Sequence, residues 1–307
     1  MKRDLLTFSD WHSESFKALI SLAQTIKTTP LAYRDALAGK SVVALFEKPS
    51  LRTRVSFDVG INKLGGHLVY LDSQANNLSG REDNVDVAAN LACWADAIVA
   101  RVYQHETLQM FAQASKVPVI NALCDRFHPC QALADLLTLT EVYGDLKDVT
   151  VAYIGDGNNV THSLMIASAL AGCNVTVVTP KGYETDVQIT HLAAQLAEHN
   201  QTTLTVSNDL QAAQGAQVLY TDTWLSMGDT TPLEQIKDTF MPYQINDQLM
   251  AATGAQYVMH CQPAHRDLEI TGSLIDSQYS LLMQQAENRM HGQNAILVNL
   301  LAEPNVE

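Results

Sequence analysis

Ser50-Leu51-Arg52-Thr53-Arg54 brings two hydroxyls and two guanidinium groups together over a short span. The segment follows an apolar run, Ser41 to Phe46, that reads as a buried strand. A helical pattern comes next, in which Val55, Phe57, Val59 and Leu64 read as one apolar face. A helix that starts here aims its unpaired N–H groups and the positive end of its dipole at whatever lies before it. With the arginines added, that is a receptor for a phosphate dianion. Capping alone, with Ser50 as N-cap and solvated arginines, accounts for the hydroxyls equally well. Arg101 ends the apolar run Ala97–Val102, at the carboxyl end of a strand, where ligand-binding groups collect in α/β sheets. Phe127-His128-Pro129-Cys130-Gln131 opens a long helical pattern with proline at its first position. His128 and Gln131 then lie near one helix start, placed to polarise a carbonyl oxygen and to bind an amide. Taken singly, an arginine such as Arg101 is more often a solvated residue after an edge strand, and a histidine such as His128 more often structural than catalytic.

Three later segments carry polar groups just after strands. Ile154-Gly155-Asp156-Gly157-Asn158-Asn159 has two glycines of a dinucleotide-binding turn but lacks the third. No acidic residue follows the next strand, where Thr179-Pro180-Lys181 stands, so the turn suits the charged end of an amino acid better than a nicotinamide nucleotide. Asp222-Thr223-Trp224-Leu225-Ser226-Met227-Gly228 offers a carboxylate and a hydroxyl to an ammonium group, or an Asx-type turn ending a strand. Met259-His260-Cys261-Gln262-Pro263 sets a thiol beside a histidine at another strand end. Glu287-Asn288-Arg289-Met290 adds an arginine in a weakly basic stretch.

The elements that must position these groups alternate along the chain. Val42–Phe46, His67–Leu71, Ala97–Val102 and Val117–Ile120 read as strands of a first half. Thr150–Ile154, Asn174–Val178, Thr203–Val206, Val218–Thr221 and Tyr257–His260 read as strands of a second. Helical patterns such as Asp83–Trp94, Pro129–Tyr143 and Leu164–Leu170 separate them. The alternation predicts α/β layers: two domains, each a parallel sheet flanked by helices. The long pattern ending at Gly144 places the boundary there. Residues 1–145 form one domain and 146–291 the other, and a C-terminal helix over 292–307 packs back on the first. Two such halves would leave an interdomain cleft bordered by strand ends, the expected active site.

Composition narrows the function. The 307 residues carry 33 acidic against 19 basic side chains, a net charge of −14, which argues against a nucleic-acid or anionic-membrane surface. An anionic substrate must then be held by a local cluster such as Arg52, Arg54 and Arg101. Hydrophobic residues make up 47%, enough for two packed cores. Five cysteines without paired spacing suit a reducing cytoplasm. The polar Met1–Glu14 segment is not an export signal, and no run is long enough to span a membrane. No metal-ligand spacing is visible.

Taken together these segments resemble the aspartate/ornithine carbamoyltransferase family from about residue 40 onward. Ser50-Leu51-Arg52-Thr53-Arg54 is similar to its S-x-R-T-R motif, and Arg101 and His128-Pro129-Cys130-Gln131 to its other carbamoyl phosphate contacts. The Asp222 segment resembles the D-x-W-x-S-M-G signature of the ornithine-specific branch, and His260-Cys261-Gln262-Pro263 its H-C-L-P, with Gln262 in place of leucine. The resemblance implies transfer of a carbamoyl group from carbamoyl phosphate to the δ-amine of L-ornithine, giving citrulline and phosphate without a cofactor or metal. It implies that Ser50, Leu51, Arg52, Thr53, Arg101, His128, Gln131, Cys261, Gln262 and Arg289 bind carbamoyl phosphate. Asn159, Asp222, Ser226 and Met227 would bind ornithine. Catalytic roles fall on Arg52, Arg101, His128, Asp222, Cys261 and Arg289. It further implies a homotrimer or a multiple of trimers, with Asn77, shorter than the family's Gln or His, as the candidate contact to a neighbouring subunit's site. Putrescine, N-acetylornithine or aspartate as acceptor, a non-catalytic ligand-binding paralogue and an NAD-dependent enzyme are the alternative readings.

Overall fold

The computed structural model describes residues 2–72, 82–225 and 231–302, so Asn77, Ser226 and Met227 lie outside the described residues. The chain divides into two compact units. The first comprises Met1–Asp10, Lys17–Leu133 and Arg289–Glu307, and the second Trp11–Phe16 and Ala134–Asn288. The division falls within the long helix that follows His128, ahead of the glycine at which that helix stops.

The first unit is built on a four-stranded parallel sheet of β1 (Ser41–Phe46), β2 (His67–Asp72), β3 (Ala97–Arg101) and β4 (Val119–Leu123), in the order β2-β1-β3-β4. All five residues of β3 and of β4 are buried, as strands covered on both faces should be. Strand β4 starts and ends later than Val117–Ile120. Pro118 has no N–H to donate, and the Val117 N–H is bound by the Ser115 hydroxyl at 3.1 Å. Asn121 continues the strand because its side-chain amide donates to the Leu6 carbonyl at 2.8 Å.

Between the strands run α2 (Leu51–Lys63), α3 (Asn84–Leu91) and α4 (His105–Ala114); α1 (Ser13–Thr28) precedes them. The expected apolar face of α2 is corrected by the structure. Phe57, Ile61 and Leu64 are buried, while Val55 and Val59 are 49% and 42% exposed beside Leu51 at 76%. At about 100° per residue, positions 55 and 57 point to opposite sides, so 51, 55 and 59 form a second stripe.

The second unit holds a five-stranded parallel sheet of β5 (Thr150–Ile154), β6 (Asn174–Val178), β7 (Leu204–Ser207), β8 (Val218–Thr221) and β9 (Tyr257–His260), in the order β7-β6-β5-β8-β9. Its helices include α6 (Asn159–Ala171), α7 (Val187–His199), α8 (Leu233–Phe240), α9 (Asp247–Thr253) and the short α10 (Gly272–Ile275). Among the described residues three helices contribute to both units: α1, α5 (Pro129–Tyr143) and α11 (Leu282–Leu301).

Both sheets reverse their winding at one place, between β1 and β3 in the first and between β5 and β8 in the second. Loops on either side of such a reversal run in opposite directions and leave a crevice at the carboxyl ends of the strands. In the second unit that crevice is shaped by Gly157, whose N–H donates to the Tyr183 carbonyl at 2.9 Å. A Cβ built on Gly157 would overlap the backbone of Glu184 and Thr185. Gly157→Ala should therefore displace the turn and cost about 1–3 kcal/mol in a urea titration. A denaturation midpoint equal to that of the native chain would contradict this packing.

Candidate active site

In the first unit the site begins at the N-terminus of α2. Ser50 is the N-cap, with extended backbone and its hydroxyl accepting from the Thr53 N–H at 3.3 Å. The first turn that follows contains no acidic residue but holds Arg52 and, just beyond, Arg54. Cations there oppose the helix dipole, at a cost of some tenths of a kcal/mol each. Arg54 is placed over the Tyr70 ring at 4.0 Å. Arg52 is exposed. A cation exposed at a positive helix end adds nothing to the stability of the helix.

Across the switch point, β1 and β3 pair in register with Phe46 opposite Arg101. This brings Arg101, 2% exposed, to the same end of the sheet as Ser50. Lys48 is also buried there, over the Tyr103 ring at 4.6 Å, with its pKa lowered by burial and by Arg101. Nothing in the sequence singles out Lys48, since a lysine before a turn is ordinarily solvated.

His128 immediately precedes α5, and Gln131 lies in its first turn. Arg289, on α11, closes the group. Its guanidinium donates to the Gln131 carbonyl oxygen and to the Thr53 hydroxyl, the latter at 3.2 Å. Thr53, Gln131 and Arg289 are thereby tied together within this unit, all of them buried. Burial and the charges of Arg289 and Arg101 hold the pKa of His128 well below the usual imidazole value. The ring is therefore neutral at pH 7, and a neutral imidazole donates through one nitrogen only.

A stability prediction follows from His128. Above about pH 6.5 the ring is neutral in folded and unfolded chains alike, and it contributes no pH dependence. Below that value the unfolded chain takes up a proton that the folded chain refuses. Stability should then fall by up to about 1.4 kcal/mol per pH unit from this residue. His105, lowered by burial and by Arg126, acts in the same direction. Urea titrations at about pH 7 and about pH 5.5 should show a smaller acid-side loss in His128→Asn than in the native chain. An equal loss in both would refute the assignment.

The second unit gathers another set of groups at its own switch point. Strands β8 and β9 pair with Thr221 opposite His260, so Asp222 and Cys261 leave the sheet side by side. The Cys261 thiol donates to Asp222 Oδ1 at 2.7 Å, and the Thr223 N–H donates to the same oxygen at 2.8 Å. The other carboxylate oxygen, Oδ2, accepts from Asn158 Nδ2 at 3.2 Å, across the switch point. Asn159 is the first residue of α6.

Behind Cys261 the loop is fixed by buried polar groups, of which the sequence singles out His260 but gives no signal for Glu269, Gln285, Asp135 or Tyr220. His260 Nδ1 accepts from the Gln262 N–H at 2.8 Å, and Nε2 meets the buried Glu269 carboxylate at 2.9 Å. The His260 N–H donates to Gln285 Oε1 at 3.0 Å, and Gln285 Nε2 donates to Asp135 at 2.7 Å. Asp135 also accepts from the Tyr220 hydroxyl at 2.9 Å. Gln262 has a φ of 56° and is half-buried, so its polar side chain is not enclosed in an apolar interior.

Among the described residues, Asp222, His260 and Cys261 bring ligand atoms within 4.8 Å of one another. Both ring nitrogens of His260 are already engaged, with Gln262 and Glu269, so this group is a poor metal-binding set as it stands. Among the described residues no helix is long and apolar enough to cross a membrane.

The chain matches the aspartate/ornithine carbamoyltransferase carbamoyl-P binding domain over residues 3–141 and the Asp/Orn binding domain of the same family over residues 147–300. It is 53% identical over 300 residues to a curated protein named ornithine carbamoyltransferase from Shewanella oneidensis, covering 98% of this chain and all of that one. The structure of ornithine carbamoyltransferase from Pyrococcus furiosus is similar with a TM-score of 0.93 at 42% identity, covering 100% of this chain and 98% of that one. The ornithine carbamoyltransferase of Thermus thermophilus superimposes with a TM-score of 0.87 at 42% identity, covering 98% and 99% of the two chains.

Proposed function

The chain belongs to the aspartate/ornithine carbamoyltransferase family, and on that premise we propose that it transfers the carbamoyl group of carbamoyl phosphate to the δ-amine of L-ornithine, releasing L-citrulline and phosphate. The observation that carries the choice of acceptor is the carboxylate of Asp222, paired with the Cys261 thiol at adjoining strand ends. A carboxylate there suits an acceptor with a cationic side chain and disfavours aspartate, which would bring a second anion to it.

In the proposed mechanism the phosphate is held by the Ser50 and Thr53 hydroxyls, Arg52, Arg101 and the N–H groups of Leu51 and its neighbours at the start of α2. These groups stabilise the charge that the leaving phosphate gains as its bond to carbon breaks. The carbonyl oxygen becomes an oxyanion in the tetrahedral intermediate. Thr53, Arg101, Arg289 and neutral His128 donate to it. Arg289 is held by its bonds to Thr53 and Gln131, so little reorganisation is required of it. Gln131 Oε1 accepts from Arg289 and, with its second lone pair, from the carbamoyl NH2; the backbone carbonyls of Cys261 and Gln262 accept there too.

The attacking amine has a solution pKa near that of lysine, about 10.4, and reacts only when neutral. Asp222 and Cys261 receive it as an ammonium ion and orient it; one proton leaves to solvent before attack, and the second goes to the departing phosphate as the tetrahedral intermediate collapses. Asn159, Asp222, Ser226 and Met227 read the α-amino and α-carboxylate groups. No step calls for a metal or an organic cofactor.

Phosphate release from carbamoyl phosphate, with the matching carbamoylated amine as second product, should be seen with ornithine, and not with putrescine, aspartate or N-acetylornithine offered separately. Activity confined to one of the other acceptors would overturn the acceptor assignment. The reaction serves arginine synthesis or arginine breakdown. A cytoplasmic location belongs to the same proposal, because five cysteines without paired spacing suit a reducing compartment.

A homotrimer is part of the same proposal, supported by the exposed stripe of Leu51, Val55 and Val59 on α2, beside the phosphate-binding residues. Asn77 is proposed to reach the neighbouring subunit's site. Sedimentation equilibrium should return three times the mass of one chain; the mass of a single chain would refute the trimer.

A further inference from the structure

We infer that Asn158 is a positioning residue for the acceptor amine. It acts by tying the orientation of the Asp222 carboxylate to the start of helix α6. The inference rests on the reading of Asp222 as the group that receives ornithine.

Asn158 does two jobs with the two ends of one amide. Its oxygen, as N-cap of α6, accepts from the Val160 N–H at 2.9 Å and from the Thr161 N–H at 3.3 Å. Its nitrogen donates to Asp222 Oδ2 at 3.2 Å. The cap bonds fix which end of the amide faces the helix, because only the oxygen can accept from those N–H groups. The NH2 is then obliged to point away from the helix, and Asp222 is what it meets.

The backbone holds Asn158 from both sides. Its N–H donates to the Asp156 carbonyl at 2.9 Å, and its carbonyl accepts from the His162 N–H at 3.0 Å. The Thr161 hydroxyl closes the turn by donating to the Asp156 carbonyl at 2.9 Å. The turn itself is pinned by the Gly157 N–H on the Tyr183 carbonyl at 2.9 Å. The donor that faces Asp222 is therefore set by a helix cap and a glycine turn, both on rigid backbone. Thr223 and Cys261 hold only Oδ1. Without Asn158 the carboxylate keeps one anchored oxygen and can swing the other. An ammonium group needs the lone pairs of both oxygens aimed correctly if it is to be held in line for attack.

Ordinary N-capping predicts a different outcome from this inference, and substitutions at the one position separate the two. Asn158→Asp and Asn158→Ser retain an oxygen for the cap and remove the donor; Asp also sets a second carboxylate against Asp222. Asn158→Ala removes both functions. In steady-state assays with the full-length protein, Asn158→Ser should lower kcat/KM for ornithine about 10-fold. Asn158→Asp should lower it by about 100-fold, the range for losing a hydrogen bond to a charged group. The KM for carbamoyl phosphate should stay within about twofold, and both variants should melt near the native temperature while Asn158→Ala melts lower.

If Asn158 acts through Asp222, its effect vanishes once the carboxylate is gone. Adding Asn158→Ser to Asp222→Asn should cost less than about twofold more. Additive losses in the double variant, or ornithine kinetics within twofold of native in both capped variants, would overturn the inference. Equal rises in KM for both substrates would mark general damage and also overturn it. These outcomes are read in variants of a chain that makes citrulline. A native chain that makes none would overturn the proposed reaction itself.

Discussion

Arg52→Ala should abolish most carbamoyl phosphate turnover while leaving the fold as stable as before, or slightly more so. The guanidinium is exposed at the second residue of α2, so its loss opens no cavity. The first turn of α2 has no acid to offset a cation, and removing that cation relieves an unfavourable interaction with the helix dipole. A small rise in melting temperature is the expected sign. Against this, each charge-assisted bond from an arginine to a phosphate oxygen is worth roughly 1.5–3 kcal/mol, and an arginine can make two. The loss in kcat/KM for carbamoyl phosphate should therefore reach about 100-fold or more. Isothermal calorimetry with inorganic phosphate should show a parallel loss, since the product carries the same dianion. Near-native kinetics would remove Arg52 from the site. Lost activity with a lowered melting temperature would point instead to a structural role.

Asp222→Asn should strike the other substrate. Asparagine keeps the shape and can still accept from the Thr223 N–H and the Cys261 thiol through its carbonyl. Its NH2 is then turned towards the NH2 of Asn158, donor against donor. The ammonium of ornithine loses a charged partner at the same time. That loss is worth roughly 1.5–3 kcal/mol, or about 10- to 150-fold in kcat/KM for ornithine. Carbamoyl phosphate contacts proposed for Ser50, Arg52, Thr53 and Arg101 belong to the other unit, so the KM for that substrate should change little. Cys261→Ser should be milder, because a hydroxyl still donates to Asp222. The decisive measurement is the ornithine dependence at saturating carbamoyl phosphate. An unchanged dependence in Asp222→Asn would place the acceptor amine elsewhere.

Much of the architecture was legible from local sequence. Among the described residues the presence of all nine strands, though not every boundary, and the long helix from Pro129 to Tyr143 follow from apolar runs, a proline at a helix start and a glycine at its end. These signals are strong because sterics and hydrogen bonding within a few residues determine them. The same holds for Ser50 as a cap and for Asp222 and Cys261 as residues just beyond strands.

The sequence alone misassigned features that depend on which side of an element meets the core. Val55 and Phe57 are both apolar, but only packing decides that Phe57 turns inward and Val55 outward. Strand β4 was misplaced because Asn121 looks like an interruption until its amide is seen to find the Leu6 carbonyl, 115 residues away in sequence. Asn158 was passed over for Asn159 for a related reason. A cap is visible locally, but the carboxylate that its other end meets belongs to a strand 64 residues later. Arg289 reaches Thr53 across a separation of 236 residues. The sequence by itself determined which groups could do the chemistry and the elements that carry them. Only the tertiary structure decided which groups meet, because strand order and the side on which each sheet reverses its winding depend on the folded chain as a whole.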